Sequence, residues 1–161
     1  MKKKIFLGLL LAFIIIQFFR IDKTNPPVKS GQDIIAIQHP NADITNILKR
    51  ACYDCHSHET KYPWYSNVAP ISWLLKHHID EGREHLNFST WGKYTLKKQQ
   101  HKLSEAYEEV EEGEMPMFGY VKMHKEANLS DSEKKQLLSW FKATAGDGFE
   151  EEHDEDEHEE H

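Results

Sequence analysis

The stretch Cys52-Tyr53-Asp54-Cys55-His56 decides how this sequence is read. Two thiols three residues apart at a helical turn point to one side, and an imidazole follows the second directly. That is the attachment pattern of a c-type haem: each sulfur adds to one vinyl group of the porphyrin, and the imidazole reaches the iron. Cys52, Cys55 and His56 are therefore the expected cofactor residues, and the chain has only these 2 cysteines. Three other uses of the pair compete. A thioredoxin-like dithiol needs a βαβ context, for which there is no pattern here. A zinc site needs four ligands, to which His58, His77 and His78 are available. A disulfide between such near neighbours closes poorly and stabilises little.

Outward from the motif, the hydrophobic spacing is helical. Ile44, Ile47, Leu48 and Ala51 form one face of a helix running into Cys52, with Asn41 or Asp43 as its cap. A loop rich in aromatics and prolines follows, from Tyr62-Pro63-Trp64-Tyr65 to Ala69. Pro70 suits the first turn of a second helix with Ile71, Leu74, Leu75, His78 and Ile79 on its apolar side, fading near Asn87. A third helix is expected from Trp91 or Lys93 to Glu112, using Leu96, Leu103, Tyr107 and Val110, with Gly113 as its stop. Glu114 to Asn128 reads as a loop. Ser130 and Glu133 make a capping-box pattern for a last helix that buries Leu137, Leu138 and Phe141 before Gly146. No repeat or β-hairpin signal occurs. The expected fold is all-α, a small cytochrome-like helical domain over 40–146 wrapped around one haem. Four modest helices make a small core, which a packed cofactor would support, and Trp73, Trp91 and Trp140 suit its lining.

The two ends differ from this middle. Residues 1–21 carry Lys2, Lys3 and Lys4 and then an apolar run from Ile5 to Phe19, broken by Gly8 and Gln17. This has the anatomy of a secretion signal and is read as an uncleaved signal anchor, a membrane helix that leaves the rest on the periplasmic side. The run is short for a spanning helix, though Lys4 and Arg20 can snorkel, and a signal cleaved on export is the alternative. Residues 22–39 read as a linker, with Asn25-Pro26-Pro27 and Ser30-Gly31 as breakers. Residues 147–161 hold ten of the 27 acidic residues and no Lys or Arg, so the formal charge of −7 becomes +3 without them. This tail reads as a solvated, disordered run; loose divalent-metal binding by His153, His158 and His161 is its functional alternative.

The iron's sixth ligand is expected from Met115, a loop Met followed by Pro between two helices. Met/His ligation raises the reduction potential relative to two imidazoles. Met117 is the nearest rival, Met123 and His124 form a second cluster, and His77 or His78 would give bis-His ligation. His58, His85 and His101 read as surface residues.

From about Ile5 to Ala145 the chain resembles the small haem-binding-domain family of c-type cytochrome-like proteins, seen mainly in Bacteroidetes-like Gram-negative bacteria. The likeness is carried by Cys52-Tyr53-Asp54-Cys55-His56-Ser57, Tyr62-Pro63-Trp64-Tyr65, Ala69-Pro70-Ile71-Ser72-Trp73, Gly82-Arg83, Leu86-Asn87-Phe88-Ser89, Met115-Pro116, Tyr120, His124 and Leu129-Ser130. The resemblance implies one haem, with thioethers at Cys52 and Cys55 and His56 as proximal ligand. Met115 matches the family's Met-Pro position, and Met117 departs from what often follows it. An electron carrier with an unidentified redox partner is the expected function. A peroxidase-like enzyme or small-molecule sensor with an open distal site is the alternative, although no acid/base pair, nucleophile arrangement or phosphate loop favours it. Nothing points to nucleic acid.

Overall fold

A computed structural model describes residues 1–149. The acidic tail from residue 150 on, with His153, His158 and His161, lies outside the described residues. Among those described, every regular element is helical and no strand forms: α1 (Lys2–Ile16), α2 (Ile34–Gln38), α3 (Ala42–Ala51), α4 (Tyr53–His56), α5 (Ile71–His85), α6 (Leu96–Glu112), α7 (Phe118–Met123) and α8 (Asp131–Ala145). Short 3₁₀ turns at Trp64–Asn67, Phe88–Lys93 and Lys125–Ala127 join them.

Local chemistry sets the ends of the helices. The Asn41 side chain accepts from the Ile44 N–H at 2.9 Å and starts α3, and Thr95 accepts from Lys98 at 3.3 Å to start α6. Ser130 and Glu133 form a complete capping box at α8. Gly113, at φ 85°, ends α6 in a conformation that favours glycine. The third helix thus begins at Leu96 rather than at Trp91 or Lys93. The Asn87 side chain accepts from the Ser89 N–H and starts the 3₁₀ turn Phe88–Lys93 that precedes α6.

α6 and α8 form the most extensive helix pair, and α3 crosses α8, where Arg50 meets Glu133 at 2.5 Å. Leu48, Leu103, Leu137 and Phe141 from these helices join Ile34 of α2, Tyr53 of α4 and Phe88 and Trp91 of the second 3₁₀ turn in one core. Within the stretch read as a linker, α2 forms on an Asp33 cap and buries Ile34 completely. α5 stands apart. Ile79 is its one fully buried apolar residue, whereas Ile71, Trp73 and Leu74 are exposed.

The expected N-terminal membrane helix is corrected: among the described residues no helix is long and apolar enough to cross a membrane. α1 has 15 residues, three of them the leading lysines, and at about 1.5 Å per residue spans roughly 22 Å, short of a hydrocarbon core of about 30 Å. It stops because Gln17 turns to the body of the protein. The Gln17 amide donates to the Ala69 carbonyl at 3.1 Å and accepts from the Ala69 N–H at 3.0 Å.

Phe141→Ala should cost about 3–5 kcal/mol in urea denaturation because it opens a cavity between α6 and α8. Ser130→Ala, which removes only a cap, should cost about 1 kcal/mol.

Candidate functional site

The motif lies where α3 hands over to α4. The Cys52 N–H closes α3 onto Leu48, and the Cys55 and His56 N–H groups turn back onto the Cys52 carbonyl at 3.2 and 2.9 Å. This single turn carries both sulfurs, which are free and half-buried, and the imidazole. The two intervening residues fasten it. Tyr53 is buried, stacks on Phe88 at 5.3 Å and donates its hydroxyl to Asp33 at 2.6 Å. Asp54 faces the other way and accepts from the Lys61 N–H at 2.9 Å and the Tyr120 hydroxyl at 2.7 Å.

His56 is oriented by the end of α5. Its Nδ1 lies 2.9 Å from the Gly82 carbonyl and 3.1 Å from the Leu86 carbonyl. Carbonyl oxygens only accept, so Nδ1 carries the proton and the Nε2 lone pair of the neutral ring is left for a metal. Burial holds the imidazole below its ordinary range, outweighing the opposite pull of the two carbonyls, with His85 adding to the lowering. This approach requires glycine at position 82, since a Cβ there would stand 3.0 Å from the Cys55 carbonyl oxygen and 3.3 Å from the Cys55 Cβ.

A polar buttress supports the turn from behind. Arg83 donates to the Ser57 carbonyl at 2.8 Å and to Asn25 and Thr60, each at 2.9 Å. Ser89 accepts from the His58 N–H at 3.0 Å, and Asn87 donates to His58 Nε2 at 3.0 Å. Arg83, Asn87 and Ser89 were visible in the sequence as part of a resemblance, but nothing in their spacing assigned them this task. His58 is half-buried within the buttress rather than a surface residue.

The donor set suits haem better than its competitors. Among the described residues no group of three His, Cys, Asp or Glu side chains could hold a metal ion, so the zinc reading lacks its ligands. Burial pushes the Cys52 thiol up to about 12 and the Cys55 thiol up to about 11. A working redox dithiol needs the opposite shift. Two thiols on one turn, beside an imidazole whose Nδ1 is tied to backbone carbonyls, form a donor set that fits haem.

The proposed distal residues are spread out. Met115 packs against the core in a turn whose N–H reaches the Glu109 carbonyl at 3.0 Å. Met117 is half-buried at the start of α7, and Met123 is exposed. His124 is engaged at both nitrogens, with the Tyr65 hydroxyl at 2.8 Å and Glu126 at 3.3 Å. His77 and His78 lie beside Glu81 on α5, at 3.3 and 3.9 Å. His85 and His101 are exposed.

A family model described as a haem-binding domain matches residues 11–143. No curated protein and no solved structure matches the chain.

In the haem-free chain, iodoacetamide should modify Cys52 and Cys55 slowly at pH 8 and faster as the pH approaches 11. The raised thiol pKa values keep the reactive thiolate scarce below that, and urea should abolish the protection.

Proposed function

This chain belongs to the haem-binding domain family, and on that premise we propose that it carries one covalently held haem c and works as an electron carrier. The observation that supports this most is the His56 ring, tied through Nδ1 to two backbone carbonyls and presenting a free Nε2 on the turn that carries both thiols. On this reading Cys52 and Cys55 form the thioethers and His56 is the proximal ligand. Haem iron supplies a one-electron couple when bound. The chain's residues supply the rest. The buttress keeps the turn rigid, so little rearrangement accompanies a change of charge at the iron. The Gly82 and Leu86 carbonyls give the imidazole more electron density, which favours the oxidised state.

Met115 is the distal ligand in this reading, because it stands in the Met-Pro turn between α6 and α7 and, unlike Met123, packs against the core. A thioether retained in both oxidation states suits electron transfer and needs no substrate pocket. The domain works outside the cytoplasm on this reading, supported by the basic start at Lys2–Lys4 and the apolar α1 that follows.

Coexpression with a haem c maturation system should yield protein whose mass includes one haem that acid–acetone extraction does not remove. Cys52→Ser with Cys55→Ser should abolish that added mass, and its persistence would refute thioether attachment. Met115→Ala should keep the haem but lose the weak red charge-transfer band of a ferric thioether complex.

A further inference from the structure

α7 poses a problem of attachment. It follows the Met115-Pro116 turn closely, yet none of its six residues is buried, so apolar packing does little to hold it. What holds it is polar. The Tyr120 hydroxyl donates to Asp54 at 2.7 Å, and the Tyr120 ring stacks on His124 at 4.2 Å and 13°. His124 accepts at Nε2 from the Tyr65 hydroxyl at 2.8 Å, leaving Nδ1–H for Glu126. Tyr65 is itself buried, in the 3₁₀ turn that packs on α5. Beyond this group, Arg50 of α3 binds the Glu126 carbonyl and the Glu133 carboxylate.

The partners at the other end are the attachment turn itself. Asp54 is an interior residue of the motif, flanked by Tyr53 and Cys55. We propose that Asp54, Tyr120, His124 and Tyr65 form a clasp that positions the Met115 loop relative to the turn bearing the haem. This rests on the functional reading above and adds a set of positioning residues to it. A hydrogen bond to a carboxylate in a partly dry cluster is among the stronger kinds. Here it joins two segments 66 residues apart. Burial and the adjacent Asp54 push Tyr120 upward, so its hydroxyl stays a donor across the physiological range. Loss of the clasp leaves the haem covalently in place and frees the loop to withdraw its ligand.

The test uses matured full-length protein. Tyr120→Phe removes one hydroxyl and keeps the stacked ring; Asp54→Ala removes the acceptor, and Asp54→Asn restores an accepting oxygen. Tyr107→Phe, which removes a hydroxyl bonded to the exposed Glu111, is the control. Tyr120→Phe and Asp54→Ala should retain wild-type haem content, weaken the charge-transfer band at neutral pH and lose it at lower pH on alkaline titration. Asp54→Asn, which keeps one of the two accepting oxygens, should weaken the band less than Asp54→Ala, and Tyr107→Phe should leave it intact. In the haem-free chain, amides of Phe118–Met123 should exchange about tenfold faster in Tyr120→Phe than in its parent. An undiminished band with unchanged exchange in Tyr120→Phe would overturn the clasp. A wild-type protein without covalent haem would instead overturn the attachment reading, and the haem content shows that before any band is measured.

Discussion

The hydrogen bonding of His56 to the last turn of α5 is the constraint on which the site depends. An imidazole offers two nitrogens, and whichever is bonded to the protein decides which one remains for a metal. The Gly82 and Leu86 carbonyls settle this for His56 and also set the plane of the ring. They can do so because position 82 has no side chain, which lets α5 rest on the Cys55 backbone. Three residues distant in sequence thus act as one orienting device, and the thiols inherit their placement from the same contact.

Around that contact, buried apolar packing and polar ties divide the work. Tyr53, Phe88 and Trp91 seat the turn on the core shared by α3, α6 and α8. Arg83, Ser57, Thr60, Asn87 and Ser89, mostly buried, hold its other side through hydrogen bonds to backbone and side chains. Such an arrangement resists rotation as well as separation, since the Cys52, Tyr53, Asp54 and Ser57 carbonyls each have a specific donor. The proposed role as an electron carrier would gain from that rigidity, because ligands that stay in place between oxidation states lower the reorganisation required.

The helical face of α3, the capping box of α8 and the stop at Gly113 were legible in the sequence, because each rests on local spacing or backbone chemistry. The motif itself was legible for the same reason. The start of α6 was misread, since Trp91 enters the core from a 3₁₀ turn and only Thr95 supplies a cap. Ile71 and Leu74 follow helical periodicity yet remain exposed, because periodicity reports an apolar face and not what covers it. α1 was read as a membrane span from its composition, but its length in the structure is set by a side-chain contact 52 residues away. The buttress and the clasp were out of reach, as both join polar residues of no distinctive spacing.

The contact between α1 and the body of the protein also bears on processing. Gln17 satisfies both the N–H and the carbonyl of the buried Ala69, Arg20 and Lys23 reach Asn67, and the Trp73 indole donates to the Phe19 carbonyl at 2.9 Å. A cut after Arg20 would remove the Gln17, Phe19 and Arg20 partners of Ala69, Trp73 and Asn67 and leave Ala69 to find water, while Lys23 would still reach Asn67. α1 is thereby an architectural part of the domain, and its excision would loosen the end of α5 farthest from the Cys52–His56 turn.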